Sequence, residues 1–454
     1  MIDIEICQQA RLTRDPRFDG SFFTAVKTTK IYCRSICPVN APKEKNICYF
    51  PSAIAAAQAG FRPCLRCRPD SAPGSPAWKG VGATLERSIR LINEGFLEKQ
   101  SLQQLATYLG ISDRYLRQLF VKGLGVSPKK FALYQQCLFA KQLLHQIKIS
   151  VTEIALASGF GSVRRFNDCI QKQLNLTPLQ IRKSHKNHSN SLKLKLYYRP
   201  PYNWKHLHAY LCARCIPKLE WINEKSYGRT FHWGDCTGHF DAEHIEAENR
   251  FDVTIELNDI AQLKSVVHNI RRILDLDVDI KTVEECLKNN FSPTLIAQTG
   301  LRLPGIWSVF EAGIRAILGQ QISVTAACNL VAVLTHNLGD SIDNKKLFPL
   351  PEAIAQSPLE FLKIPQSRKQ TLRNLAQFYV ENEWPDNPEK WLKLKGIGKW
   401  TIDYAKLRGL SEPDVFLGGD LGVKKALAQS GKNISPDSAA PWRSYLTFHL
   451  WSHL

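Results

Sequence analysis

The stretch LKLKGIGKWTIDYAKLRGL, residues 392–410, reads as two helical runs joined by Gly396-Ile397-Gly398. Two glycines permit a tight turn and bring backbone N–H groups to the start of the next helix, where a phosphate can bind without net positive charge nearby. A Gly-x-Gly turn of this kind is common and alone says little about DNA. Further on stands DVFLGGDLGVKKAL, residues 414–427, in which Asp420 follows two glycines and opens another helix. The ordinary use of such an aspartate is as an N-cap, worth about 1 kcal/mol. Trp400 and Tyr404 are four apart and share one helix face. Aromatics at that spacing are more often core than pocket.

Taken together, the hairpin and the Gly-flanked aspartate resemble the glycosylase superfamily named for its helix–hairpin–helix and Gly/Pro-rich loop with Asp. YRPPYNW (198–204), LRLPG (301–305), FEAGIRAILGQQISV (310–324) and PWRSYLTFHLW (441–451) narrow the resemblance to the inducible 3-methyladenine glycosylase (AlkA) type, over about residues 195–454. The resemblance implies an α+β subdomain at 195–288 and an all-helical catalytic domain at 289–454. It makes Asp420 the catalytic carboxylate, buried and facing the positive charge that grows on the sugar as an N-glycosidic bond breaks. Trp400, Tyr404 and Trp451 become the pocket in which a flipped, cationic alkylated purine stacks. Gln321 falls at the wedge position that fills the gap left by the base, and Gly396 and Gly398 contact DNA. Lyase members hold a lysine where this chain has Trp400, and Lys399 is one position off. Iron–sulfur members carry four cysteines after the catalytic loop, whereas none here follows Cys328. The expectation is base excision without lyase chemistry and without an iron–sulfur cluster.

Near the other end stand Cys33-x3-Cys37 and Cys64-x2-Cys67. Each close pair chelates from one short loop, and the segment between them closes a tetrahedron around one zinc ion. Spacing alone indicates no more than a structural zinc module. The wording around the cysteines, TTKIYCRSIC (28–37) and FRPCLRCRP (61–69), resembles the N-terminal domain of Ada-type alkylation-response regulators, here residues 1–75. That resemblance implies that Cys33 accepts a methyl group from a methylated DNA phosphate and that Cys37, Cys64 and Cys67 are its companion ligands; Arg62, among the basic residues flanking the second pair, is expected at the DNA. Zinc keeps the sulfur ionised, and four thiolates on one divalent ion make it nucleophilic. Methylation removes one negative charge, so repulsion from phosphates falls. A second pair, Cys212-x2-Cys215 with His206 and His208 nearby, sits on a predicted helix, where small buried cysteines are ordinary.

Between the two ends, Ala106-x3-Gly110 recurs as Ala155-x3-Gly159, and GVSP ending at Pro128 recurs as NLTP ending at Pro178. Each copy predicts a helix–turn–helix whose glycine turns the chain and whose second helix opens at Ser112 or Ser162. The first reading helix carries Arg114, Tyr115, Arg117 and Gln118, the second Arg164, Arg165 and Asn167; such side chains suit phosphates and base edges. Phe120, Phe131 and Phe160 take core-like positions. The repeat resembles the AraC/XylS-type activator domain, here residues 83–183, which follows the zinc domain in Ada-type regulators. No Pro-Cys-His-Arg segment occurs, so the methylguanine-repair domain of full-length Ada is missing.

Composition agrees with this division. The 454 residues call for several domains, and 44% hydrophobic residues indicate a globular chain. Residues 1–200 hold 31 Lys and Arg against 12 Asp and Glu, and residues 201–454 hold 29 of each, so the whole excess of +19 lies in the first part. That is the half expected to grip a phosphate backbone. No apolar run is long enough for a membrane span, the start lacks a signal-peptide pattern, and 13 cysteines without an export signal point to a reducing, cytoplasmic, nucleoid-associated location. Residues 68–83 and 182–195 read as linkers. The fold class expected is multidomain α+β: a small zinc-bound α/β domain, an all-α double helix–turn–helix, then an α+β subdomain and the helical domain. The function expected is an alkylation sensor, transcriptional activator and alkylbase glycosylase in one monomeric chain, acting on alkylated and promoter double-stranded DNA with RNA polymerase as partner. The competing reading is a regulator whose second half is an inactive DNA-binding relic.

Overall fold

The computed structural model describes residues 4–453, apart from 16–17, 19–20, 38, 40–41, 52, 65–66, 68–82, 148, 184–191, 297, 383–384 and 431–433. Most of both expected linkers lies outside the described residues. The chain divides into two compact units. One comprises residues 1–200, 245–269 and 276–279; the other comprises 201–244, 270–275 and 280–454.

The first unit opens with helix α1 (Ile4–Leu12) and a sheet of order β3-β1-β2-β4, with β1 at Phe23–Val26, β2 at Ile31–Arg34, β3 at Ile47–Phe50 and β4 at Arg62–Pro63. β1 pairs antiparallel with β2 and β3, whereas β4 runs parallel to β2, with Ile31 opposite Arg62 and Tyr32 opposite Pro63. The proline fits because β4 is an edge strand, where its missing N–H is no loss. Helix α2 (Ala53–Gln58) supplies Ala56 to a core with Phe23, Ala25, Tyr32 and Phe61.

Helices α3 (Ala83–Asn93) and α4 (Phe96–Lys99) then lead into two helix pairs, α5 (Leu102–Tyr108) with α6 (Asp113–Leu124), and α8 (Val151–Ala157) with α9 (Val163–Leu174). The long α7 (Pro128–Gln146) joins the pairs and α10 (Pro178–Lys183) closes the second. The local chemistry repeats: Ser101–Gln104 and Ser150–Glu153 form capping boxes, while Ser112 and Ser162 cap the reading helices. Gly110 and Gly159 take φ of +71° and +79°, the left-handed turn each pair requires. Phe120, Phe131 and Phe160 are buried, as are Ala106 and Ala155. Strand β5 (Lys193–Tyr197) completes this unit by pairing antiparallel with a later strand, Arg250–Leu257.

In the second unit, α11 (Trp204–Cys212) precedes an antiparallel meander of β6 (Glu220–Ile222), β7 (Ser226–Trp233) and β8 (Cys236–Ile245). β9 (Arg250–Leu257) and most of α12 (Leu263–Ile273) belong to the first unit, and the second continues with α13 (Ile280–Asn290), α14 (Val309–Gly319) and α15 (Val324–Leu338). The expectation of an all-helical domain at 289–454 needs one correction. β10 (Ser341–Ile342) and β11 (Lys345–Lys346) form a short hairpin, because Asp343 takes the left-handed conformation that Asp-Asn turns tolerate. α16 (Pro351–Gln356), α17 (Gln366–Glu381), α18 (Lys399–Gly409), α19 (Leu421–Ser430) and α20 (Arg443–Trp451) follow. Among the described residues no helix is long and apolar enough to cross a membrane.

Two features hold this unit together. α18 lies directly on α14: a Cβ at Gly409 would come within 2.9 Å of the Val309 backbone and 3.0 Å of Ala312. Below them, a buried charge network ties α14 to the meander. Arg229 donates to Glu311 (2.8 Å) and Glu220 (3.4 Å), and Arg315 pairs with both acids at 2.7 and 3.0 Å. Tyr227 adds its hydroxyl to Glu220 at 3.1 Å. The two cations hold the Glu220 carboxyl below the usual range even though burial pushes it upward. Breaking a buried pair leaves an uncompensated charge, so Arg229→Met should destabilise the second unit by about 3–5 kcal/mol. Chemical denaturation followed by tryptophan fluorescence measures this, and a loss under ~1 kcal/mol would contradict the network's role.

Candidate functional sites

The parallel pairing of β4 with β2 brings the two cysteine pairs together. Arg62 N–H donates to the Lys30 carbonyl (2.8 Å) and Cys64 N–H to the Tyr32 carbonyl (2.9 Å), so Cys64 emerges beside Cys33. A turn closed by Cys37 N–H on the Arg34 carbonyl (3.2 Å) folds Cys37 back, and Cys67 Sγ accepts from the Arg34 N–H at 3.4 Å. All four sulfurs lie within 4.8 Å of one another and all four cysteines are buried. Tetrahedral zinc–thiolate bonds place sulfurs about 3.8 Å apart, so this cage fits the ion.

Electrostatics give the same answer. By themselves the four thiols must share protons. Hydrogen bonds with Cys37 and Cys64 push Cys33 far up, and burial pushes Cys67 up. Hydrogen bonds led by Cys33 hold Cys37 and Cys64 down. Only a bound cation allows all four to be thiolates together. Arg62 stands half-buried on β4.

The helix–turn–helix candidates are brought to the surface. Arg114, Tyr115 and Gln118 on α6, and Arg164, Arg165 and Asn167 on α9, are exposed while Leu116, Phe120, Phe166 and Ile170 turn inward. Arg117 is also exposed, but lies along its own helix in a two-pronged pair with Asp113 at 2.9 and 3.1 Å.

In the second unit Asp420 does what its sequence context suggests and more. It opens α19, and its Oδ1 accepts from Gly422 N–H (2.9 Å) and Val423 N–H (3.2 Å), which is the capping role. The same oxygen accepts from Trp451 Nε1 at 3.0 Å, and Oδ2 accepts from Trp400 Nε1 at 3.3 Å. Two indole N–H groups from different helices therefore converge on one carboxylate. The resemblance called for a buried carboxylate; instead Asp420 is half-buried, because the turn of Gly418 and Gly419 before it is exposed.

Trp400 and Tyr404 face one another at 5.4 Å between ring centres, tilted by 31°. Trp451 packs edge-on against Phe448 (4.9 Å) and stacks with Tyr210 (6.5 Å). The Arg408 guanidinium bonds the Tyr210 hydroxyl, reaches the Tyr404 hydroxyl at 3.4 Å and anchors on the Pro304 carbonyl at 2.7 Å. Burial pushes the Tyr404 phenol up. Tyr210, Phe448 and Arg408 escaped the sequence reading. Arg408 could have been found four residues beyond Tyr404, whereas nothing near Tyr210 signals its partner some 240 residues away.

Cys212 ends α11, with its sulfur 3.7 Å from the His208 ring, and Cys215 lies beyond the helix. Among the described residues only the four N-terminal cysteines form a metal-ready group.

The hairpin glycines differ in what they face. Gly396 has φ +91°, and a Cβ there would meet Thr371 Oγ1 at 2.1 Å. Gly398 precedes α18, and a Cβ there would meet nothing within 4 Å. Gln320 ties the α14–α15 turn to this hairpin by donating to the Gly396 carbonyl (3.3 Å) and Thr401 Oγ1 (3.2 Å). Gln321 tops that turn, exposed and at φ +60°.

Residues 6–70 match the metal binding domain of Ada, 105–184 a helix-turn-helix domain, and 193–308 the AlkA N-terminal domain. A probable bifunctional transcriptional activator/DNA repair enzyme AlkA of Mycobacterium tuberculosis is 32% identical, over 100% of this chain and 97% of its own length. The chain belongs to this bifunctional Ada/AlkA family. DNA-3-methyladenine glycosylase 2 of Escherichia coli is 31% identical over 56% of this chain and 95% of its own. The solved 3-methyladenine DNA glycosylase from Archaeoglobus fulgidus, 20% identical, covers 57% of this chain and 97% of its own with a TM-score of 0.48. Family membership therefore spans both halves, in the order zinc domain, helix–turn–helix domain, second unit.

The two hairpin glycines should respond differently to a methyl group. Gly396→Ala should cost roughly 1–3 kcal/mol of stability from its left-handed φ and its contact with Thr371. Gly398→Ala should leave thermal unfolding nearly unchanged while weakening duplex-DNA binding, measured by fluorescence anisotropy. Equal loss of stability in both would contradict this reading of the turn.

Proposed function

We propose that the chain couples alkylation sensing to base excision. Its first unit takes methyl groups from DNA methylphosphotriesters onto Cys33 and activates transcription at specific promoters. Its second unit hydrolyses the N-glycosidic bond of alkylated bases such as 3-methyladenine. The observation carrying the excision reading is the carboxylate of Asp420 held between the Trp400 and Trp451 indoles beside the Trp400–Tyr404 pair. A relic that only bound DNA would need the hairpin and the cap, not two indoles aimed at one aspartate.

In this mechanism a flipped alkylated purine stacks on the aromatic faces, gaining cation–π attraction. Its glycosidic bond is already weakened by the base's positive charge, so no acid need protonate the leaving base. As the C1′–N bond breaks, its electron pair leaves with the base and positive charge grows on the sugar. The Asp420 carboxylate stabilises that charge, orients the water that adds to C1′ and takes up the proton which that water releases. Oδ1 is engaged by the helix start and Trp451, which leaves Oδ2, bonded to Trp400, as the oxygen facing the reaction. With tryptophan at position 400 no amine stands at the lyase position, so the product is an intact abasic site, and no iron–sulfur cluster takes part. Gln321 enters the gap in the duplex from the tip of its turn.

In the sensor, the Cys33 sulfur attacks the methyl carbon of the phosphotriester. The S–C bond forms as the O–C bond breaks, and that electron pair stays on the phosphate as a diester. Cys33, Cys37, Cys64 and Cys67 hold the zinc, which supplies thiolate character at neutral pH. Arg62 and the exposed arginines of α6 and α9 make the DNA contacts. The protein acts as a monomer at the nucleoid, with RNA polymerase as its partner at promoters.

Each half has its own test. Asp420→Asn keeps a side-chain oxygen for the helix cap, so folding and duplex binding should persist while release of 3-methyladenine from methylated DNA is abolished. Full excision by this variant, or a borohydride-trapped adduct with abasic DNA, would overturn the mechanism. Tyr404→Ala should slow excision less, by about 1–3 kcal/mol, the worth of one base–aromatic stack. For the sensor, labelled methylphosphotriester DNA should leave label on the Cys33 peptide, with none transferred in Cys33→Ser; label on another cysteine would displace the assignment.

A further inference from the structure

The pair Cys212-x2-Cys215, which the function above leaves unused, does not sit in the second unit as two ordinary core cysteines. Cys212 is exposed and Cys215 half-buried, and both are free thiols. α11 ends at Cys212, and the Cys215 N–H closes a turn onto the Cys212 carbonyl at 3.4 Å. Such a turn holds its first and fourth Cα atoms less than about 7 Å apart, which overlaps the roughly 4.4–6.8 Å that a disulfide spans.

The two sulfurs differ in what surrounds them. His208, one helical turn before Cys212, places its ring nitrogens 3.7 and 3.8 Å from the Cys212 sulfur. Its Nε2 also lies 2.9 Å from the Asn223 carbonyl, which only accepts, so Nε2 carries the proton and Nδ1 offers its lone pair to the thiol. A helix C-terminus disfavours a thiolate, so a base beside this sulfur counts. The Cys215 thiol instead donates to the Glu220 carbonyl at 3.4 Å, and burial pushes it up to about 11, so it keeps its proton. An accessible thiol with a base, followed by a protonated thiol across one turn, has the layout of an attacking and a resolving cysteine. The turn also bears on the aromatic cluster at Asp420. Arg214, between the two cysteines, lies 3.7 Å from the centre of the Tyr210 ring, and Tyr210 stacks on Trp451, a donor to Asp420.

We propose that Cys212 and Cys215 form a redox switch answering to hydroperoxides, with Cys212 attacking, His208 taking its proton and Cys215 closing the disulfide. The Cys212 sulfur attacks one peroxide oxygen. The S–O bond forms as the O–O bond breaks, and the departing oxygen takes the proton from His208, leaving as alcohol or, from hydrogen peroxide, as water. Cys212 is then a sulfenic acid, oxidised by two electrons as the peroxide is reduced by two. The Cys215 sulfur attacks the Cys212 sulfur, the S–S bond forms as the S–O bond breaks, and hydroxide leaves with the Cys215 proton as water. A dithiol reductant reverses the closure by thiol–disulfide exchange. Closing the bond draws in the turn that carries Arg214, shifts Tyr210 against Trp451 and slows base excision. That last consequence rests on the proposed function, whereas the dithiol chemistry does not.

The test uses the zinc-loaded, reduced full chain, treated with hydrogen peroxide, blocked at remaining thiols and digested with trypsin. Cleavage after Arg214 separates the two cysteines, so the disulfide appears as a link between peptides 206–214 and 215–218 that dithiothreitol breaks. Single-turnover release of 3-methyladenine is read before digestion. In the wild type the link should form and excision should fall about tenfold, both reversed by dithiothreitol. Cys215→Ala should form no link, hold a dimedone-reactive sulfenic acid on Cys212 and keep its excision in peroxide. If excision falls in that variant as well, the loss belongs to other thiols, such as those of the zinc cage, and the switch is overturned. His208→Ala should slow the link roughly tenfold, and an unchanged rate removes His208 as the base. Absence of the link from the wild type overturns the pair. So does a link from Cys215 to Cys328 of α15, whose thiol reaches the Ala213 carbonyl at 3.9 Å. A link that leaves excision unchanged overturns the switch alone. Excision missing already from reduced protein overturns the proposed function, and the peptide link still decides the dithiol.

Discussion

Charge cannot be buried alone, and both units of this protein are organised around that constraint. In the second unit, Glu220 and Glu311 are answered by Arg229 and Arg315, and this quartet pins α14 against the β6–β8 meander. α14 in turn carries α18 across its back through the close contact at Gly409. The hairpin, the Trp400–Tyr404 pair and the turn bearing Gln321 all hang on these two helices. In the first unit, four thiolates brought to one point need a metal ion to coexist.

At each site the residues proposed to react also hold the local fold. Asp420 is an ordinary N-cap, and the cap fixes the carboxylate with one oxygen toward the helix start and the other toward Trp400. The zinc cage is an ordinary small-domain staple, and the staple keeps a sulfur reactive. A residue whose orientation is already set by the fold needs no further ordering when substrate arrives, which is where positioned groups gain their effect. The same economy applies to Gly396 and Gly398, one required by packing on Thr371 and the other leaving space at the tip of the turn.

Tandem arrangement in one chain also has a physical logic. The excess positive charge lies in residues 1–200, which also carry the exposed arginines on α6 and α9. In the balanced second part Gly398 opens a helix, and backbone N–H groups at a helix start can bind a phosphate without a charged side chain. The proposed function would then give one polypeptide two modes of holding DNA, one strongly dependent on salt and one less so.

Much was legible from sequence because it depends on short-range chemistry. Spacing set the cysteine pairs, serine caps and turn glycines marked both helix–turn–helix units, and the hairpin followed from two glycines between helical runs. Local signals such as these survive without knowledge of the partner. Sequence did not reveal the β10–β11 hairpin, too short for any periodicity, nor the half-exposure of Asp420. Neither did it single out Tyr210 or Arg408. Each of these acts through a residue distant along the chain: Tyr210 on Trp451, Arg408 on Tyr210. Which side chains meet across such separations is decided by how helices and strands pack, and a one-dimensional pattern carries no record of that.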